Sequence, residues 1–183
     1  MNQTNGAGFV DPKGVVQQLS LNQGEKVTDF GCGAGYFSCA FAEGVGPEGH
    51  VLALDVLPAS LEAVMSRART LSLTNVSTKR VNLEKEGGSG LDPQSQDWVI
   101  MKDMLFQNTK KDVIIYEAAR VLKPGGKLFV MEWSPENTFV GPEKSLRMQK
   151  KDLEELLYAA GFDITKNLEV GEYHFAFLAE KKS

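Results

Sequence analysis

Apolar positions along the chain recur with two different periods, and the two alternate. Lys26–Phe30 (KVTDF), His50–Val56 (HVLALDV), Val76–Leu83, Asp97–Asp103 (DWVIMKD) and Lys127–Trp133 are short runs rich in β-branched and large apolar residues. Each predicts a strand. Between them the spacing lengthens to three and four residues. Tyr36–Glu43 predicts a helix. A second helix opens at Pro58 and carries Leu61, Val64, Met65, Ala68 and Leu71 on one face, and Lys111–Leu122 carries Ile114, Ile115, Ala118, Ala119 and Leu122. Lys123-Pro124-Gly125-Gly126 stops that helix and turns the chain, and Gly87–Gln96 is a loop rich in Gly, Ser and Pro. Lys151–Ala160 predicts another helix closed by Gly161, and Phe162–Val170 with Tyr173–Glu180 predicts an antiparallel hairpin around Gly171-Glu172. At the start, residues 1–10 read as mobile. Asp11-Pro12 then supplies a capping acid and a first-turn proline for a short helix over Pro12–Leu19, ended near Asn22-Gln23-Gly24.

Strands that are nearly continuously apolar, separated by helices, predict a parallel sheet covered on both faces, a three-layer α/β sandwich. Ligands of such sheets lie at the carboxyl ends of the strands, where the strand order switches. Function is therefore to be sought at Asp29–Gly35, Asp55, Asn82, Lys102–Leu105 and Glu132–Ser134.

The first strand runs into Asp29-Phe30-Gly31-Cys32-Gly33-Ala34-Gly35-Tyr36. Glycines there allow positive φ and a close backbone approach, and the helix that follows offers free N–H groups and a partial positive charge. A dinucleotide pyrophosphate or a carboxylate would suit that end equally. Asp55, 20 residues past Gly35 at the end of the second strand, can accept both hydroxyls of an adenosine ribose. Two positions separate the alternatives. The dinucleotide fingerprint is G-x-G-x-x-G, whereas the spacing here is G-x-G-x-G with Tyr36 in the sixth place, where a ring fits the helix packing poorly. Asp29 would repel a pyrophosphate but attract an ammonium. Both favour S-adenosylmethionine over a nicotinamide dinucleotide.

Composition narrows the class further. With 183 residues, 42% hydrophobic and 24% charged, the chain is long enough for one packed domain spanning 1–183, with 1–20 as an N-terminal segment and helix. A formal net charge of −4 counts against nucleic acid as the main partner. The two cysteines, Cys32 and Cys39, exclude a disulfide framework and a Cys-rich zinc site, and no metal is expected. No apolar run is long enough for a membrane span, and Met1–Gly8 lacks the basic start and apolar stretch of a signal peptide. A cytoplasmic location is the resulting expectation. Nothing in the sequence speaks to oligomeric state.

The stretches VTDFGCGAGYFS, VLALDV, DWVIMKDMLFQN, EAARVLKPGGKLFVMEW and DLEELLYAAGF, from about Val27 to the end, resemble the class I S-adenosylmethionine-dependent methyltransferases. The likeness is to the small-molecule branch that includes the ubiquinone/menaquinone methyltransferases. It implies a Rossmann-like, mostly parallel seven-stranded sheet whose last strand is antiparallel. S-adenosyl-L-methionine would be the cofactor and S-adenosyl-L-homocysteine the product. It also implies roles. Asp29 would meet the methionine amino group, directly or through water. Gly31, Gly33 and Gly35 would line the methionine and ribose. Asp55 would hold the ribose hydroxyls with Val56 against the adenine, Asn82 and Leu83 would flank the adenine edge, and Lys102 would lie near the methionine end. Many relatives carry Asp in place of Asn82, and a His pair in place of Phe106-Gln107; Phe106 is instead expected to pack beside the cofactor.

The sulfonium brings its own reactivity, so the protein has mainly to align an acceptor. Candidates near the methyl group are Tyr36, Trp133, Tyr173 and His174, with Glu132 a weaker candidate base. His50 falls at the wrong end of the sheet. Arsenite methylation, which relies on further cysteines, fits poorly. Lys144–Asp152 (KSLRMQKKD) reads as a solvated loop and helix start. The acceptor is expected to be a small molecule, covered only by residues 1–20 and the 133–150 loop. The competing functions are a module that binds S-adenosylmethionine or S-adenosylhomocysteine without catalysis, and an NAD(P)-dependent oxidoreductase.

Overall fold

A computed structural model describes residues 10–137 and 139–182. The expected mobility of residues 1–10 falls almost entirely on residues outside that range. The elements follow the predicted alternation: α1 (Pro12–Val16), β1 (Lys26–Phe30), α2 (Tyr36–Val45), β2 (His50–Asp55), α3 (Pro58–Thr70), β3 (Val76–Arg80), β4 (Gln96–Lys102), α4 (Lys111–Val121), β5 (Leu122–Trp133), α5 (Lys150–Ala159), β6 (Phe162–Leu168) and β7 (His174–Lys181). One seven-stranded sheet forms in the order β3-β2-β1-β4-β5-β7-β6. All pairings among β1 to β5 are parallel, and β7 runs antiparallel to both β5 and β6. The mostly parallel sheet with an antiparallel last strand is as expected.

The apolar runs are continuous because both faces of the sheet are covered. Val27, Trp98, Ile100, Phe129 and Met131 point to one side, into a core shared with Val15, Phe37, Phe41, Val64 and Ala68 of α1, α2 and α3. Their strand neighbours Phe30, Val99, Met101, Leu128 and Val130 point the other way, to Ile114, Ala118, Leu153 and Leu157 of α4 and α5. This is the period of two of a pleated strand, with each parity buried against its own helix layer. Phe37 stacks on Phe129 at 5.5 Å, and Phe41 meets Trp98 edge-on at 5.8 Å.

Several predicted boundaries shift. The first helix stops at Val16 rather than Leu19, but the next residues continue as turns and Leu19 is still buried. Asp11 caps it as read, its Oδ1 accepting from Lys13 N–H at 3.1 Å. The third strand leaves the sheet at Arg80, so Val81–Leu83 are free to face the ligand end. The Lys123–Gly126 turn sits inside β5 as a bulge: Gln96 pairs with Leu122 and Trp98 with Lys127. Lys144–Asp152 is not simply solvated. Arg147 and Met148 are buried, and Arg147 donates to the carbonyls of Ser134, Asn137, Val140 and Pro142, pinning the loop after β5.

The chain winds outward from β1 through β2 to β3, then returns to the other side of β1 for β4 and β5. The order therefore switches between β1 and β4, and the crevice outside their carboxyl ends is where a ligand belongs.

Candidate functional site

The glycine turn is built by main-chain contacts at the ends of β1 and β2. Gly31 and Cys32 N–H both donate to the Leu54 carbonyl, at 2.8 and 3.0 Å. Gly31, Gly33 and Gly35 hold φ of 74°, 48° and 75°, left-handed values that glycine adopts without penalty. A Cβ on Gly33 would meet nothing within 4 Å, so that edge of the turn faces open space. Gly35 is the residue from which α2 starts.

Asp55 ties the turn to β2. Its Oδ2 accepts from Gly33 N–H at 3.1 Å and its Oδ1 from Leu57 N–H at 2.9 Å. Each carboxylate oxygen has a second lone pair, so both can still accept from a diol. Asp29 is 2% exposed, and its Oδ2 accepts from Ser38 Oγ at 2.5 Å. Burial, reinforced by Asp55, pushes its carboxyl up to about 7 against the pull of Ser38 and Lys102.

The far wall is made by the ends of β4, β5 and β7. Glu132 is fully buried, with Oε1 accepting from Met104 and Leu105 N–H at 3.0 and 2.7 Å. Burial raises its carboxyl to about 7, outweighing those hydrogen bonds. The folded state thus binds this proton more tightly than the unfolded chain does. The corresponding stability is full below about pH 4.5 and is lost as pH rises to about 7, on the order of 3 kcal/mol. Glu132→Gln keeps an acceptor for both N–H groups but cannot ionise. The thermal midpoint of the variant minus that of the wild type should grow steadily between pH 5 and 8; a constant gap would show that Glu132 ionises freely. Beside it, Lys102 Nζ pairs with Asp103 Oδ2, which also lies 3.2 Å from His174 Nε2. The Trp133 indole lies against the His174 ring, 4.1 Å between centroids.

These walls enclose one cavity of about 1170 Å³. All nine residues assigned to the cofactor from the sequence line it: Asp29, Gly31, Gly33, Gly35, Asp55, Val56, Asn82, Leu83 and Lys102. So do the four reaction candidates, Tyr36, Trp133, Tyr173 and His174. Tyr36 stands at the mouth, exposed, with the Arg67 guanidinium 3.5 Å over its ring. Val10 and Pro12 from the N-terminal segment, and Val140 and Gly141 from the loop after β5, also line the cavity. Phe106 is a correction: its neighbours Met104, Gln107 and Asn108 face the cavity and it does not. His50 is exposed at the opposite end, against Ser77 Oγ at 2.7 Å. Sequence reasoning assigned no role to Asp103, whose signal is a left-handed φ of 50° on a non-glycine residue at a strand end.

The cavity fits an adenosyl sulfonium amino acid. It offers an acid for the ribose at Asp55, a buried acid for an ammonium at Asp29, and between them a turn whose Gly33 leaves open space where a side chain would stand. Its volume exceeds the roughly 300–1,000 Å³ of ordinary ligand pockets, which leaves room for a second small molecule.

Comparison with known proteins gives the same family. Residues 21–167 match the family described as Methyltransferase domain. The ubiquinone/menaquinone biosynthesis C-methyltransferase UbiE of Pasteurella multocida is 34% identical over 115 residues, covering 62% of this chain and 42% of that protein. The chain thus spans less than half the length of that curated relative. A solved S-adenosylmethionine-dependent methyltransferase from Aquifex aeolicus superposes with a TM-score of 0.84 at 26% identity, covering 94% of this chain and 90% of its own. The [4+2]-cyclase SpnF shares the fold, with a TM-score of 0.79 at 19% identity over 93% of this chain and 79% of its own. S-adenosyl-L-methionine is the cofactor that such kinship carries, and S-adenosyl-L-homocysteine the product it leaves. The chain belongs to the methyltransferase domain family, as an S-adenosylmethionine-dependent class I member resembling the ubiquinone-type branch.

Proposed function

We propose that the protein transfers a methyl group from S-adenosyl-L-methionine to a small-molecule acceptor by in-line displacement. One observation carries the reading: a single cavity at the switch point joins the glycine turn, Asp29 and Asp55 to an aromatic rim of Tyr36, Trp133 and Tyr173. When bound, the cofactor supplies a methyl group on a positively charged sulfur. Asp55 grips the ribose, Asp29 neutralises the amino end, and Lys102 borders that end. Aromatic faces at the rim favour a nearby cation. The rim closes out water around the acceptor and holds it in line, an alignment worth about 7–11 kcal/mol of barrier without any base. The relative named a C-methyltransferase makes carbon one acceptor atom to test, alongside oxygen, nitrogen and sulfur. Arsenite fits poorly, because both cysteines are buried and burial pushes both thiols up.

A second reading is binding without methyl transfer, because one fold hosts different reactions, as the cyclase of this fold illustrates. Turnover of a labelled methyl donor against a metabolite panel separates the two. A thermal shift with S-adenosyl-L-homocysteine and none with NADH supports both against the oxidoreductase; the reverse pattern would end both.

Asp29 gives this reading a pH signature. Its carboxyl is largely neutral below about pH 7 and must ionise to face an ammonium. Cofactor binding at pH 6 should therefore release close to one proton from it. Calorimetry of S-adenosyl-L-homocysteine binding in buffers of different ionisation enthalpy reads that proton. Its persistence in Asp29→Asn would remove Asp29 from the amino end.

A further inference from the structure

We propose that Asp103 and His174 form the base that takes a proton from the methyl acceptor, with Nδ1 of His174 as the receiving atom. The inference rests on the methyl-transfer reading and adds to it the acceptor's class: a molecule whose reacting atom carries a proton.

The two residues come from opposite ends of the sequence, 71 positions apart. Asp103 follows the last residue of β4, and His174 opens β7 in register with Trp133 of β5. Both line the cavity. The 3.2 Å contact between His174 Nε2 and Asp103 Oδ2 determines the tautomer. A carboxylate oxygen only accepts, so Nε2 carries the hydrogen and Nδ1 keeps its lone pair. An acid that orients an imidazole through one nitrogen, leaving the other free as a base, is the arrangement used in hydrolytic triads.

The surroundings hold the pair rather than quench it. Lys102 Nζ supplies a countercharge on the same Oδ2. Glu132 is committed to the main chain of Met104 and Leu105. Arg147 spends its guanidinium on loop carbonyls and lies 5.5 Å from the Trp133 ring. Tyr173, the neighbour of His174, lines the rim. The indole covers the imidazole on one face, and Gly141 packs on the indole so closely that a Cβ there would come within 2.5 Å of it. Nδ1 itself is buried and has no hydrogen-bond partner among the described residues, so its lone pair is not spent on the protein.

Unpartnered buried polar atoms point to the same corner. Four side-chain atoms of this kind occur among the described residues, and Asp103 Oδ1, Glu132 Oε2 and His174 Nδ1 are three of them. Such atoms are costly, about 1–3 kcal/mol each. They gather here beside a residue held at φ 50°, and cost of this kind collects at working sites. The step balances simply. The acceptor's X–H bond breaks, and its proton goes to Nδ1. Its electron pair forms the new bond from X to the methyl carbon, while the pair of the broken sulfur–methyl bond stays on sulfur.

Two measurements test this on the intact chain saturated with S-adenosyl-L-homocysteine or the labelled donor. Nitrogen-15 spectra, with His50→Gln assigning the other ring, should show His174 as the Nε2–H tautomer; an Nδ1–H tautomer overturns the proposal. With phenol, catechol and naphthol as acceptors, His174→Gln should lower kcat by about 100-fold or more while leaving the affinity for S-adenosyl-L-homocysteine unchanged. Added imidazole should restore part of the rate to His174→Gly, which a merely structural histidine would not allow. Wild-type kcat in His174→Gln with that affinity intact overturns the base alone; wild-type protein that fails to bind S-adenosyl-L-homocysteine overturns the methyl-transfer reading instead.

Discussion

Gly33→Val should weaken S-adenosyl-L-homocysteine binding by about 100-fold or more while the chain still folds cooperatively, with the loss sized as about 2–3 kcal/mol of overpacking. The reason lies in where a side chain would go. A Cβ at this position meets no protein atom within 4 Å, so the added isopropyl group projects into the space assigned to the donor. Its φ of 48° adds strain of about 1–2 kcal/mol to the folded state, a modest loss for a domain of this size. Calorimetric titration alongside a melting curve separates the two effects. Unchanged affinity in a folded Gly33→Val protein would contradict the role of the glycine turn.

Gly35→Ala, only two residues on, should do the opposite: destabilise the fold rather than block the site. A Cβ there would lie 2.8 Å from Val64 Cγ2 and 2.9 Å from Val64 Cα. The second of these is main chain of α3, which no rotamer change can move. Left-handed φ and a clash with a packed helix together should cost about 2–5 kcal/mol, or a fall of about 10 °C in thermal midpoint. The same contact explains how the turn is positioned: Gly35 lets the start of α2 sit directly against α3, and Arg67 of α3 donates from Nε to the Ala34 carbonyl at 3.0 Å. A thermal midpoint within a degree or two of wild type would mean that the α2–α3 contact is looser than this.

The contrast shows which parts of the protein were legible in sequence. Strands such as HVLALDV declared themselves because both faces of a parallel strand are buried, leaving no polar parity to confuse the pattern. The glycine turn and Asp55 were legible because their spacing is local and their chemistry is fixed by residue type. Arg147 was not. Read along the chain it is one cation in a basic run, and only the folded loop brings four carbonyls around it. Asp103 was hidden for the same reason, since its meaning depends on a histidine 71 residues away. Phe106, three residues on, was expected beside the cofactor from its place after the fourth strand, but the turn it sits in directs Gln107 and Asn108 to the cavity instead. Val81–Leu83 were read as a continuation of the third strand, and they lie beyond its end at Arg80 and line the cavity.

The most direct test of the central claim is a crystal structure with S-adenosyl-L-homocysteine bound. The ribose hydroxyls should lie within hydrogen-bond distance of Asp55, the amino group should face Asp29, and the thioether should point toward Trp133 and His174. A cavity left empty at saturating ligand, or a ligand seated with its ribose away from Asp55, would contradict the account.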